Sequence, residues 1–152
     1  MTMKVCIGGT FLHFHKGHYL LIDTALTTAG ERGYLFIAVM GNEQGKAYRG
    51  KSFIERKQQI EGYLSKRQTK VNVDIQPIAD RFGPTLQEDF DCIVISPETR
   101  SVAEEINTKR QEQGRSVLNI IQIPFVYADD GQRISSTRIE QGEIDEQGHL
   151  VR

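Results

Sequence analysis

Three short runs in this chain are apolar at nearly every position: Met3 to Ile7, Tyr34 to Met40 and Cys92 to Ile95. A strand with one face in water alternates apolar and polar residues, so a strand that is apolar throughout has both faces covered. Each run stops at backbone punctuation: Gly8-Gly9 after the first, Gly41 after the second, Ser96-Pro97 after the third. A chain with several such strands folds as a parallel sheet with helices on both faces, joined by right-handed crossovers.

The segments between the runs supply those helices. From Gly17 the residues Leu20, Leu21, Ala25, Leu26 and Ala29 recur at helical spacing, and Gly30 with Gly33 closes the helix. Ser52 with Glu55 three residues on forms a capping box, ahead of an inward face of Phe53, Ile60 and Leu64. Val71 to Ile78 alternates as a third strand, and Leu118 to Val126 makes a fifth after Cys92 to Ile95. Pro97 opens a helix predicted over Glu98 to about Gln113, and Ile134 to Gln141 reads as a last short helix. The prediction is a single α/β domain over residues 1–152, with five parallel strands covered on both faces. Such sheets bind ligands beyond the carboxyl ends of their strands, where the strand order reverses.

Composition narrows the function. Lys plus Arg number 19 against 20 for Asp plus Glu, a net charge of -1, so no global field recruits nucleic acid or a membrane surface, and an anion site must be local. No apolar run approaches the roughly 18 residues of a membrane span, and the start lacks the order of a signal peptide, which points to a cytoplasmic protein. The only cysteines, Cys6 and Cys92, lie inside apolar runs and are expected as reduced core thiols.

Chemistry concentrates after the first strand, where Gly8-Gly9-Thr10-Phe11-Leu12-His13-Phe14-His15-Lys16-Gly17-His18 holds three of the four histidines. The glycines let backbone amides approach a ligand, and Gly17 is expected to let the helix begin tightly with free amide hydrogens toward an anion. His15 and His18, three apart, can turn both imidazoles to one phosphate and stabilise charge that grows in a transition state. A metal site of His13, His15 and His18 is the alternative, although no nearby carboxylate or thiolate completes it. A second group, Ser135, Ser136 and Thr137 followed by Arg138, offers more hydroxyls than one helix cap needs and suits phosphate binding. Lys46, Arg49 and Lys51 follow strand two and can add positive charge, though a basic loop by itself is more often a solvated surface.

His15-Lys16-Gly17-His18 together with Ile134-Ser135-Ser136-Thr137 resembles the HxGH nucleotidyltransferases. Gly8 to Phe11, Phe53 to Arg56, Phe82-Gly83-Pro84, Ser96 to Thr99, Glu105-Ile106-Asn107 and Ile134 to Ile139 make the chain similar to the archaeal phosphopantetheine adenylyltransferases. The resemblance implies a Rossmann-like nucleotidyltransferase fold and a transfer of the adenylyl group of ATP to 4'-phosphopantetheine, giving dephospho-CoA and pyrophosphate. Magnesium would enter with ATP, no protein metal ligand is implied, and CoA would be a candidate feedback ligand. The resemblance makes His18 and Lys46 the catalytic residues. It gives ATP Gly9, Thr10, Phe11, His15, Gly17, His18, Ser96, Glu98, Thr99, Ser135, Ser136 and Thr137, and gives the acceptor Thr10 and Lys46, with Lys51 competing for the loop role. Leu12 departs from the family, which usually has Asp there, and Arg100 stands where an aromatic residue is frequent. Other phosphorylated acceptors, or a nucleotide sensor without turnover, stay open at this point, as does the oligomeric state.

Overall fold

The computed structural model describes residues 2–41 and 49–151. Its sheet has five parallel strands in the order β3-β2-β1-β4-β5: β1 (Lys4–Gly9), β2 (Tyr34–Val39), β3 (Asn72–Pro77), β4 (Cys92–Ile95) and β5 (Asn119–Gln122). The helices are α1 (Lys16–Ala29), α2 (Phe53–Arg67), α3 (Arg100–Glu112) and the single-turn α4 (Ser136–Glu140).

Alternate residues of each central strand enter different cores, as the two-residue period of a strand requires. Val5, Ile7, Leu35, Ile37, Val39 and Val94 join Ile22, Ala25 and Ile60 on the face covered by α1 and α2. Cys6, Phe36, Ala38, Ile93 and Ile95 pack with Ala103 and Ile106 of α3 on the other. Both cysteines are free and buried, and burial pushes the Cys6 thiol up to about 12. A small satellite core of Ala128, Ile134 and Ile144 fastens the C-terminal segment around α4.

Several boundaries differ from the sequence reading, the last helix among them, which starts at Ser136 and not Ile134 because Ser135 is its extended N-cap. Gly8 and Gly9 do not end β1 but complete it, pairing with Ala38 and Val39. Strand β5 closes at Gln122 instead of Val126, because Pro124 has no amide for the ladder. Helix α3 begins at Arg100, not Glu98, since Pro97–Thr99 form a separate 3-10 turn. Strand β3 spans Asn72–Pro77 within the longer predicted run.

The chain lays down β1, β2 and β3 in one direction and then crosses back to place β4 beside β1. That reversal leaves a crevice between the carboxyl ends of β1 and β4, bordered by the segments that follow β1, β4 and β5.

Candidate active site

A cleft of about 360 Å³ occupies this crevice, with walls from Gly8 to Thr10, His15, Gly17, His18, Ser96 to Thr99, Ile123 to Val126 and Ile134 to Thr137. The two motifs separated by more than a hundred residues in the sequence therefore meet. Of the residues assigned from sequence, Gly9, Thr10, His15, Gly17, His18, Ser96, Glu98, Thr99, Ser135, Ser136 and Thr137 all line it.

The two histidines are held by the start of α1. His15 is its N-cap: its Nδ1 accepts the Gly17 amide at 3.0 Å, and the Nδ1 of His18 accepts the His15 amide at 3.1 Å. This is a capping box in which both partners are imidazoles. A ring nitrogen that accepts an N–H carries no proton, so in the neutral rings the proton sits on Nε2. The remaining nitrogen of each ring is thus a donor. The rings stack on each other with centroids 4.0 Å apart, and Phe11 and Phe14 flank His18 at 5.0 and 5.6 Å. Burial, helped by the neighbouring His13, lowers the His15 pKa to about 4. Burial and then His15 hold His18 well below its ordinary value. In the free site both are neutral donors at physiological pH.

This arrangement corrects the expectation of free amides at the start of α1. The Lys16 amide donates to the carbonyl of Glu146, the Gly17 amide to His15 Nδ1, and the His18 and Tyr19 amides to the carbonyl of His15. An anion here meets imidazole Nε2 atoms instead of helix amides. The role of Gly17 changes accordingly. A Cβ on it would stand 2.8 Å from Cε1 and 3.0 Å from Nδ1 of His15, so glycine makes room for the capping ring.

Phe11 lies outside the cleft lining: its ring is fully buried and backs His18. Its φ of 50° is left-handed, a conformation that costs about 1 kcal/mol or more in a bulky residue. His13 belongs to another group, its Nε2 lying 3.2 Å from Glu140 Oε1 while Arg49 pairs with the second oxygen of the same carboxylate. Among the described residues no three or more of His, Cys, Asp and Glu are grouped so that they could hold a metal ion.

On the opposite wall Ser135 is the N-cap of α4, its Oγ accepting the Arg138 amide at 3.2 Å. Ser136 and Thr137 occupy the first two helical positions, whose amides precede the intrahelical ladder. Arg138 does not serve the cleft, because it pairs with Asp130 and lies 3.6 Å from Glu143. Arg100 likewise turns to Glu104 and Gln122. Lys46 lies outside the described residues. Lys51 is half-buried and is not part of the cleft lining.

Two features went unread in the sequence. An apolar pocket of about 100 Å³ opens on the α3 side between Phe36, Ala38, Ile78, Phe82, Val102 and Ile106, and shares Gly8, Met40 and Thr99 with the cleft. Arg56, on the first turn of α2, is fully buried and donates to the carbonyls of Thr10, Met40 and Ser52. An arginine on an amphipathic helix carries no pattern that marks it as buried, and the pocket is assembled from four separated segments.

Residues 6–142 match the cytidylyltransferase-like family. The phosphopantetheine adenylyltransferase of Methanosarcina mazei is 40% identical over 149 residues, covering 97% of this chain and 96% of that protein. The enzyme of the same name from Archaeoglobus fulgidus is 38% identical over 152 residues, covering 98% of this chain and all of that protein. A crystal structure of an Archaeoglobus fulgidus protein described as of unknown function superposes with a TM-score of 0.69 at 34% identity, over 80% of this chain and 89% of that one.

Proposed function

The chain belongs to the cytidylyltransferase-like family and, within it, to the phosphopantetheine adenylyltransferases, and from that premise we propose how its cleft carries the reaction. The enzyme transfers the adenylyl group of ATP to 4'-phosphopantetheine and releases dephospho-CoA and pyrophosphate. An oxygen of the acceptor phosphate attacks the α-phosphorus. A new P–O bond forms as the bond to the β-phosphate breaks, and its electron pair leaves with pyrophosphate. The attacking oxygen of a phosphate monoester is already anionic, so no general base is required. Catalysis rests on placement and on donors aimed at the charge developing on the α-phosphate.

The observation that carries this reading is the pair of neutral imidazoles whose Nδ1 atoms are committed to the backbone and whose Nε2–H groups remain for the cleft. His18 donates to the α-phosphate and His15 to the neighbouring phosphates. Ser136 and Thr137 receive the β- and γ-phosphates through hydroxyl and amide, while Ser135 fixes their helix. Ser96 to Thr99 border the adenosine, and Thr10 contacts the acceptor phosphate. Lys46 is the loop lysine of the transition state. The nucleotide enters as its magnesium complex, the metal held by its own phosphates. The apolar pocket beside the cleft suits the pantetheine arm, an elongated chain with few charges, and Arg81 stands at its edge with its guanidinium paired to Glu105.

The test is pyrophosphate release from MgATP with 4'-phosphopantetheine, run beside nicotinamide mononucleotide, flavin mononucleotide and glycerol 3-phosphate, each also with CTP. Turnover with 4'-phosphopantetheine and ATP alone is expected. Faster turnover with another acceptor would overturn the assignment of the apolar pocket.

A further inference from the structure

Thr10 and Met40, the residues just past β1 and β2, present carbonyls at the cleft's edge, beyond the ladder in which Gly9 O and Val39 O accept the Met40 and Ile78 amides. Backbone acceptors in such a place must find donors, and near a polyanion they also repel the ligand. Arg56 answers both needs. Its Nη1 donates to Thr10 O at 2.9 Å and to Met40 O at 2.6 Å, and its Nε to Ser52 O at 3.2 Å. One fully buried cation thus joins the ends of two adjacent strands to the start of α2.

The Thr10 carbonyl belongs to the peptide plane that leads into Phe11, the residue with φ of 50°. A left-handed bulky residue persists only where its surroundings fix it. The bond from Arg56 fixes that plane from one side, and burial of the Phe11 ring fixes it from the other. The orientation of the plane sets where the Thr10 side chain stands at the cleft.

We propose that Arg56 is a positioning residue for the acceptor: it sets the Thr10 side chain through the Thr10 carbonyl without touching substrate. The proposal rests on the reading that Thr10 contacts the acceptor phosphate. Lysine keeps the charge but lacks the rigid planar pair of Nε, anchored on Ser52 O, and Nη1, which that anchor aims at the Thr10 and Met40 carbonyls, so Arg56→Lys is the informative change.

The experiment is a double-mutant cycle with Arg56→Lys and Thr10→Val, measuring KM for 4'-phosphopantetheine, kcat and the affinity for MgATP. Each single change is expected to raise the acceptor KM about tenfold while ATP affinity stays within about twofold. The double variant should be little worse than Thr10→Val alone, because residues acting through one contact are non-additive. A purely structural role would lower the active fraction and thermal midpoint without this selectivity. Additive effects, or equal losses for both substrates, would overturn the proposal while leaving the acceptor reading of Thr10 in place. An unaffected acceptor KM in Thr10→Val would remove that reading and the proposal together. Should the lysine variant fail to fold, the wild-type protein answers instead. The guanidinium NMR resonances of Arg56 should shift on saturation with 4'-phosphopantetheine and stay in place with a non-hydrolysable ATP analogue, and the absence of an acceptor-dependent shift would overturn the proposal.

Discussion

His18 Nδ1 accepts the backbone N–H of His15 at 3.1 Å, so the second histidine of the motif is oriented by the first. The spacing of three is the spacing of a capping box, in which the N3 side chain returns to the N-cap amide. Serine with glutamate closes such a box equally well, as Ser52 and Glu55 do at α2, but neither leaves a neutral N–H to spare. Imidazole has two nitrogens, one for the helix and one for a phosphate. The start of α1 is therefore also the device that fixes the tautomer and aim of the donors.

Replacing His18 by Ala should separate binding from turnover. The affinity for MgATP is expected to stay within a few fold, while kcat falls about a hundredfold or more, the usual loss for one preorganised donor to developing charge. Loss of the N3 half of the box should lower stability by about 1 kcal/mol. Equilibrium binding beside steady-state kinetics checks this, and a collapse of ATP affinity with unchanged turnover of the bound complex would refute the role.

The lowered His15 pKa predicts an acid-sensitive fold. The ring titrates near 6.5 when unfolded and near 4 when folded, so between those values the unfolded chain binds more protons. Stability is then full above about pH 6.5 and declines as pH falls toward 4. The interval corresponds to roughly 3 kcal/mol, and the depressed His18 adds loss of the same sign. His15→Asn keeps a good N-cap without the titration. Urea unfolding from pH 7 to 4.5 should show a shallower decline in that variant than in the wild type, and equal slopes would contradict the assignment.

How much of this the sequence discloses follows from what each signal depends on. Strands β1, β2 and β4 are legible because burial on both faces writes a continuous apolar run. The meeting of His15 and His18 with Ser136 and Thr137 depends on the strand order, which no run of residues states; the general rule for α/β sheets says only that ligands lie beyond the carboxyl ends where that order reverses. Hydrogen bonds are not written in patterns. Nothing in Lys16-Gly17-His18 announces that the first amides of α1 are spent on Glu146 and His15, or that Arg138 serves Asp130 and not a phosphate. The buried Arg56 escapes for the same reason.

Gly17 offers a direct test of the ring above it. An alanine methyl would reach His15 Cε1 at 2.8 Å, closer than carbon atoms pack, and the ring must tilt away. Alanine raises helix propensity by up to about 1 kcal/mol, which offsets the strain. The thermal midpoint of Gly17→Ala is accordingly expected to change by only a few degrees, while MgATP affinity falls about tenfold as the His15 donor leaves its place. Calorimetric titration decides it: unchanged affinity would mean that His15 does not serve the phosphates.

Leu12 stands where the resemblance to the family leads one to expect Asp, and its surroundings decide what placing a carboxylate there would do. The side chain is 2% exposed and is not part of the cleft lining, so a carboxylate at this position enters a buried environment instead of a phosphate site. Removing a buried leucine costs about 2 to 5 kcal/mol, and an unpaired buried carboxylate adds its own desolvation or takes up a proton. Leu12→Asp should therefore lower the thermal midpoint by many degrees and leave kcat of the folded fraction no higher than in the wild type. Leu12→Met, which conserves volume, should stay within about 1.5 kcal/mol of the wild type. A rise in kcat for the aspartate variant would show that the position reaches the phosphates after all. The expected pattern, a loss for Asp and near-neutrality for Met, would mean that position 12 serves the core of this chain and that charge stabilisation falls to groups that reach the cleft, the imidazole pair among them.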